Sequence, residues 1–309
     1  MGGTNYSDVA YRNLSSSFKG KSDDEVFKNN VTKSISPDMD PKGIKIRESR
    51  DSEVHPESLA IAVFMDETGS MGQIPSMMVR EDLHKVMQTL IDHDIKDAHV
   101  LFGGIGDHLA DRHPLQVGQF EAGADELVKW LTELYLEGNG GGQNKESYLL
   151  AWLFAARHTS IDCFEKRKQK GILFTIGDEK SWDTVDGDYL KKLMGYAECS
   201  DITDVEILEE VKKMYHVFHI HCNETSYKDD PDVLDYWNKM LPERVIKLED
   251  HRNVAEVIAA TVAMIHGVDL AKVTAGFDAK SADTVSKALA NVNTSVEQVD
   301  DNSGGAVEV

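Results

Sequence analysis

The chain has 309 residues, of which 54 are Asp or Glu and 33 are Lys or Arg, so its formal net charge is −21. Binding to nucleic-acid backbones or anionic membranes requires clustered Lys and Arg, and the acidic excess argues against both. The apolar content of 41% supports a full globular core. The length suits one large domain with extensions, or two small domains.

Cysteine usage and the N-terminal sequence indicate the compartment. The three cysteines, Cys163, Cys199 and Cys222, form no CxxC pair and no disulfide framework, which is typical of free thiols in a reducing environment. The N-terminal residues lack the apolar stretch of a signal peptide, and no apolar run approaches the ~20 residues of a membrane span. We therefore expect a cytoplasmic protein.

Apolar periodicity divides the chain into three parts. Residues 1–57 are polar, and we predict an extended N-terminal arm with one short helix near residues 23–30. Residues 58–267 alternate apolar strands with amphipathic helices, and residues 268–309 follow as a C-terminal helix and an acidic tail. The predicted strands are 59–65, 99–105, 115–120 (an antiparallel edge), 171–176, 216–221 and 245–248. The predicted helices are 74–92, 124–136, 146–158, 204–214, 231–240, 254–265 and 282–292.

These elements predict an α/β fold with a doubly wound, mostly parallel sheet flanked by helices. In such sheets, ligands bind beyond the carboxyl ends of the strands, where the strand order reverses. Three predicted loops there carry oxygen-bearing side chains. The first contains Asp66, Thr68 and Ser70, the second is the glycine-rich segment EGNGGGQNKESY, and the third begins with Asp178 and Glu179.

With these three loops in order, residues 58–267 resemble a von Willebrand factor type A (vWA) domain of the stand-alone intracellular bacterial or phage type. That family carries a metal-ion-dependent adhesion site (MIDAS), which combines a DxSxS loop, a Thr from a second loop and an Asp from a third. Here Asp66, Thr68 and Ser70 match the first loop, with Thr in place of the first Ser, and Asp178 matches the third.

The second loop departs from the family pattern. Counted back from the predicted helix, the Thr position is held by Glu146 or Ser147, whereas a register based on the glycines gives Gln143. A carboxylate there would make the site more negative than usual and would favour a filled metal site without a partner.

The resemblance implies a Rossmann-like domain that binds protein partners through a divalent cation and is not an enzyme. Mg²⁺, or Mn²⁺ or Ca²⁺ in its place, prefers oxygen ligands, and a carboxylate of the partner would complete its coordination. The expected partner is therefore a protein that presents Asp or Glu, in an assembly or stress-related complex. No nucleic acid or membrane is expected, and the terminal extensions suggest a homo-oligomer. The predicted partner-binding rim consists of Glu67, Asp107, Gln143, Glu179 and Trp182.

Three alternatives remain open at this stage. A Mg²⁺-dependent phosphohydrolase of the haloacid-dehalogenase type would use Asp66 as its nucleophile, but Thr68 stands where that family has its general acid. Asp66 and Thr68 would otherwise cap the following helix, which leaves Asp178 unexplained. His219 and His221 lie near Cys222 and would suit zinc, although alternating histidines on a strand more often pack in a core.

Overall fold

A six-stranded sheet forms the centre of the computed structural model, which describes residues 3–138, 144–225 and 227–296, with only the backbone of Ser70. Over these residues the strands are β1 (Arg47–Ser49), β2 (Leu59–Asp66), β3 (Ala98–Ile105), β4 (Leu115–Val117), β5 (Lys145–Glu146), β6 (Thr159–Ile161), β7 (Gly171–Gly177), β8 (Lys180–Ser181), β9 (Thr184–Val185), β10 (Ile202–Thr203), β11 (Tyr215–Cys222) and β12 (Val245–Leu248).

Helices connect these strands. Over the same residues the α-helices are α1 (Asp8–Ser16), α2 (Asp23–Val26), α3 (Lys28–Thr32), α4 (Gln73–Met77), α5 (Leu83–Asp92), α6 (Ala124–Thr132), α7 (Tyr148–Arg157), α8 (Asp162–Arg167), α9 (Gly187–Met194), α10 (Asp204–Val211), α11 (Pro231–Met240), α12 (Val254–Ile265), α13 (Leu270–Thr274) and α14 (Ala279–Leu289). A 3-10 turn covers Gly69–Gly72, and a π-helical segment, Met78–Asp82, joins α4 to α5.

The central sheet has the strand order β12–β11–β7–β2–β3–β4. Its neighbouring strands are parallel, except that β4 is antiparallel to β3. The chain moves outward from β2 to β3 and β4, and then returns to the other side of β2 to form β7, β11 and β12. The strand order therefore reverses between β2 and β7, which is where ligands bind in open α/β sheets.

Both faces of the sheet are covered, because alternate residues of β2 enter two separate apolar clusters. Ile61, Val63 and Met65 pack in a cluster with α5 and α12, whereas Ala62 and Phe64 pack in a cluster with α7 and α10. A strand buried on both sides needs apolar residues throughout, as β2 has. The predicted doubly wound, mostly parallel α/β fold is confirmed.

Most predicted elements are present with shifted ends. The predicted edge strand is β4, and the helix predicted over residues 74–92 is present but contains the π-helical segment Met78–Asp82. The helix predicted to begin at Glu146 begins instead at Tyr148. Glu146 belongs to the two-residue strand β5, which is parallel to β8 and pairs Glu146 with Ser181.

The N-terminal segment is not extended, contrary to our expectation. It forms α1, α2 and α3, and both Tyr11 and Phe27 are fully buried in the cluster that contains α5 and α12. The hydroxyl of Tyr11 donates to the carbonyl of Val79 (3.2 Å) in the π-helical segment. A few apolar side chains thus dock a polar segment, and composition alone does not reveal such isolated contacts.

The C-terminal part packs through α13 and α14 against α12. The helix predicted over residues 282–292 is α14, shifted toward the N-terminus, and the predicted acidic tail lies outside the described residues from 297 onward. Among the helices of the described ranges, none combines the length and the apolar character needed to cross a membrane.

Candidate metal centre

The first loop holds Asp66 at the end of β2, with 1% of its surface exposed. The backbone N–H of Thr68 donates to Asp66 Oδ1 (2.8 Å), and the Thr68 hydroxyl donates to the same oxygen (2.7 Å). Gly69 follows with φ +46, a left-handed conformation that glycine adopts without strain, and the chain then enters the 3-10 turn. The backbone thus turns sharply and keeps the Thr68 hydroxyl beside Asp66.

The second loop brings Glu146 to the first loop through the β5–β8 pair. Glu146 Oε1 lies 3.2 Å from the hydroxyl of Thr68, which also lies 2.7 Å from Asp66. A hydroxyl has one hydrogen to donate, so it cannot satisfy both carboxylates at once. Glu146 Oε2 is buried and has no hydrogen-bond partner among the described residues.

Ser147, the other predicted ligand of this loop, has a different set of contacts. Its hydroxyl oxygen lies 2.8 Å from both the backbone N and the ring Nδ1 of His108. Ser147 thereby joins the second loop to the loop that follows β3. Of the two adjacent candidates, Glu146 is the one that contacts the first loop, and the third candidate, Gln143, lies outside the described residues.

The third loop follows β7 directly. Asp178 is 6% exposed, and the Thr225 hydroxyl hydrogen-bonds its carboxylate. The backbone carbonyl of Glu179 accepts a hydrogen bond from Trp237 Nε1 (2.8 Å), while Glu179 Oε2 is buried without a partner. Because Met65 is paired with Ile176 in the sheet, Asp66 and Asp178 leave neighbouring strands at the same edge.

The electrostatic consequence is a set of carboxyl groups that resist ionisation. Burial, and then the charge of Asp178, hold the pKa of Asp66 well above its ordinary value. Burial and the charge of Asp66 raise the pKa of Glu146 to about 11, and burial and Asp178 raise that of Glu179 to about 7. Within the described ranges, no Lys or Arg forms an ion pair with any of these four carboxylates.

Such a donor set fits a hard cation. Burying carboxylates without a positive partner is costly, and the partnerless oxygens of Glu146 and Glu179 are unused acceptors. Oxygen donors from carboxylates and a hydroxyl are those that Mg²⁺, Mn²⁺ and Ca²⁺ take. Asp66, Thr68, Glu146 and Asp178 would hold the ion. The side chain of Ser70, the remaining predicted ligand, is not described.

Two residues that we expected on an exposed rim are buried. Glu67 is 2% exposed and packs over Gly104, where a Cβ would lie 1.7 Å from Glu67 Oε1, and it accepts a hydrogen bond from Gln116. Asp107 has no exposed surface and accepts hydrogen bonds from the ring nitrogen of Trp182 (2.8 Å) and from the backbone of Leu109 (2.9 Å). Strand alternation and loop closure turn both carboxylates inward. Trp182 and Glu179 are half-buried.

A second group of potential ligands was missed by sequence reasoning. Among the described residues, Glu224, Asp250 and His251 bring three ligand atoms within 4.8 Å of one another, whereas the carboxylates around Asp66 form no such group of three. Asp250 is already paired with Arg252 (2.6 Å) and Lys280 (3.1 Å), and these contacts keep its pKa below the ordinary range. Because Asp250 already forms two ion pairs, this group is less suited to bind a metal ion. The three residues come from the loops after β11 and β12, and their spacing in the sequence does not indicate that these loops meet.

The two strand histidines pack in the core. His219 stacks on Trp237 with ring centroids 3.4 Å apart, and His219 and His221 are both fully buried. Cys222 points to the opposite face of β11, into the cluster with α5 and α12. In the described part of the chain these residues belong to no group of three ligand atoms.

Comparison with known proteins leaves the family open. No protein family model matches the chain, and no curated protein matches it. Two crystal structures of the pilus adhesin SpaC from Lactobacillus rhamnosus GG are similar to it, both with a TM-score of 0.42. The one in the open conformation is 8% identical, covering 78% of this chain and 31% of the adhesin chain, and the other is 10% identical, covering 78% and 32%. The chain thus spans less than a third of the adhesin's length, and a likeness at this level carries no conclusion about function.

Proposed function

We propose that this protein is a metal-dependent protein-binding module of the vWA type, in which a divalent cation at the edge of the sheet captures a carboxylate of a partner protein. The observation that supports this most directly is the Thr68 hydroxyl, shared between Asp66 and Glu146, with no Lys or Arg of the described residues paired to either carboxylate. Asp178, at the end of the neighbouring strand, would complete the protein's share of the ligands.

The chain's own residues would prepare the site as follows. A bound cation would displace protons from Asp66 and Glu146, whose negative charge would then act in a buried setting, where electrostatic attraction is strong. With a cation bound, the Thr68 hydroxyl would no longer be shared between the two carboxylates, and its oxygen would offer a lone pair to the ion. A divalent cation supplies positive charge and a coordination position for an external carboxylate. Partner binding would then depend on both the metal and the partner's Asp or Glu.

The arrangement around Asp66 offers less to a phosphohydrolase. Thr68 occupies the place of the general acid of that class, and a threonine hydroxyl, which here donates to Asp66 Oδ1 at 2.7 Å, is too weak an acid to protonate a leaving group. We infer that the protein is not a phosphatase.

Calorimetric titration with Mn²⁺ tests the proposal in the wild type, Asp66→Ala and Glu224→Gln. We expect one site that Asp66→Ala removes and Glu224→Gln retains, because Glu224 belongs to the other acidic group. The same three proteins, immobilised with Mg²⁺ or with chelator, serve for capture of partners identified by mass spectrometry. A partner retained by wild type and Glu224→Gln, with Mg²⁺ only, is the expected result.

Two outcomes would overturn the proposal. One is Mn²⁺ binding that survives in Asp66→Ala but disappears in Glu224→Gln, which would move the ion to the other group. The second is hydrolysis of p-nitrophenyl phosphate by the wild type at enzyme-like rates, with loss in Asp66→Ala, which would make Asp66 a nucleophile.

A further inference from the structure

The hydroxyl of Tyr148 lies where the first and third loops meet. It is 3.5 Å from Asp66 Oδ2, the oxygen that Thr68 does not contact. It also lies directly over Gly177, the residue before Asp178, because a Cβ on Gly177 would come within 1.8 Å of the hydroxyl oxygen. Any larger residue at 177 would therefore displace this hydroxyl. Tyr148 itself is the first residue of α7 and follows the second loop.

The ring of Tyr148 is fixed by aromatic neighbours. It packs edge-on against His219 (5.1 Å between centroids) and Trp237 (5.3 Å), and Trp237 in turn stacks on His219. Trp237 Nε1 also holds the backbone carbonyl of Glu179 in the third loop (2.8 Å). The direction of the hydroxyl is thus set by the same side chains that support Glu179.

We propose that Tyr148 is a positioning residue of the metal centre: its hydroxyl donates to Asp66 Oδ2 and fixes the rotation of that carboxylate and its separation from Asp178. This inference rests on the proposed function, since it assigns Tyr148 a part in holding the same cation. It adds a residue that the vWA-type motif of this sequence does not include.

The physical reason lies in the two oxygens of Asp66. Thr68 occupies Oδ1 with two hydrogen bonds, so the orientation of the carboxylate depends on what holds Oδ2. A side chain that rotates freely binds an ion more weakly, because it loses rotational entropy when the ion binds. Partners that orient metal ligands typically contribute 10–100-fold in affinity. A buried, rigidly packed hydroxyl suits this role better than water does.

The test compares Mn²⁺ affinity of the wild type, Tyr148→Phe and Tyr215→Phe by calorimetry. Tyr148→Phe removes only the hydroxyl, and we expect affinity to fall by about 10-fold or more. Tyr215 is an equally buried tyrosine whose hydroxyl bonds Thr159 (2.7 Å) in another part of the fold, so Tyr215→Phe should keep wild-type affinity. Gly177→Ala, which pushes the Tyr148 hydroxyl aside without altering residue 148, should reproduce the loss.

A second readout separates positioning from stability. Water proton relaxation of bound Mn²⁺ counts the water molecules on the ion, and we expect more water in Tyr148→Phe, because a misplaced Asp66 leaves a coordination position to solvent. Equal affinity and equal relaxation in wild type and Tyr148→Phe would overturn the inference and leave the proposed function standing. A wild type that binds no Mn²⁺ would overturn both.

Discussion

His99 is a residue whose chemistry is set by its place in the fold. It lies in β3 with no exposed surface, its Nδ1 is 3.1 Å from the hydroxyl of Ser49, and its Nε2 has no partner. Burial, together with the nearby His55, lowers the pKa of His99 to about 4. Between about pH 4 and pH 6.5 the ring is therefore neutral in the folded protein, whereas an exposed histidine takes up a proton over this range.

This neutral ring makes stability depend on pH. Between pH 6.5 and about 4 the unfolded chain protonates His99 and the folded chain does not. The contribution of His99 is thus fully present above about pH 6.5 and is lost as the pH falls toward 4, by on the order of 3 kcal/mol. In urea unfolding at a series of pH values, we expect His99→Gln to lose less stability over this window than the wild type. An identical pH slope for both proteins would contradict this prediction.

The role of Glu146 at the candidate metal centre also depends on its place in the fold. The sequence predicts Glu146 at the start of a helix and makes it one of three alternatives, with Ser147 and Gln143, for the ligand position of the second loop. Only the pairing of β5 with β8 places it beside Thr68. That pairing has two residues on each strand, too few for any periodicity to reveal.

At the scale of elements, the helix that follows the first loop is interrupted by π-helical geometry over Met78–Asp82. A π segment changes the backbone hydrogen-bond pattern, and such segments frequently occur near functional sites. Here the Tyr11 hydroxyl of α1 supplies a donor to the carbonyls of Val79 (3.2 Å) and Met78 (3.5 Å). The N-terminal segment thus supports the helix that follows the first loop of the candidate metal centre.

We expect Tyr11→Phe to destabilise the protein by about 1 kcal/mol, the net contribution of one buried hydrogen bond. Tyr6→Phe is a matched control from the same segment, because the Tyr6 hydroxyl is buried without a partner and its removal should be neutral or slightly stabilising. Thermal unfolding of the two variants checks the pair. A Tyr11→Phe variant as stable as the wild type would contradict the prediction, because the ring alone would then hold α1 in place.

At the scale of the whole molecule, four buried or half-buried carboxyl groups from different parts of the chain lie at one edge of the sheet. Asp66, Glu146, Asp178 and Glu179 come from three loops; burial raises the pKa of all four, and neighbouring carboxylates raise it further at Asp66, Glu146 and Glu179. Without a bound cation, the burial of these carboxyl groups therefore lowers the stability of the folded state. A bound ion that neutralises these groups would stabilise the folded state.

We accordingly expect Mg²⁺ or Mn²⁺ to raise the melting temperature. At a metal concentration 100 times the dissociation constant, the stabilisation is about 2.7 kcal/mol, which corresponds to a rise of about 4 °C for a chain of this size. The shift should vanish in Asp178→Ala, measured by scanning fluorimetry with millimolar metal and with chelator. A wild-type melting temperature that is the same in both conditions would contradict the prediction.

The strand and helix order was predictable from the sequence, because strands such as β2, buried on both faces, need unbroken apolar runs, and helices such as α12 need an apolar stripe. Asp66, Thr68 and Asp178 were candidates for the same reason: polar residues directly after such runs lie at the edge of the sheet. The docking of α1 through Tyr11 was not predictable, and neither was the contact of Glu146, instead of Ser147, with Thr68. These contacts join residues far apart in the chain without any repeating pattern.

The sequence by itself thus determined the layered fold and singled out the three loops of the candidate metal centre, since periodicity and chain order are local properties. In the second loop it left Glu146, Ser147 and Gln143 as alternatives. Tertiary structure alone decided which carboxylates face one another, that Glu67 and Asp107 are turned inward, and that the Tyr148 hydroxyl lies over Gly177 beside Asp66. Contacts of this kind depend on the direction of a side chain and on the packing of its neighbours. Those are set only when the strands and helices have come together.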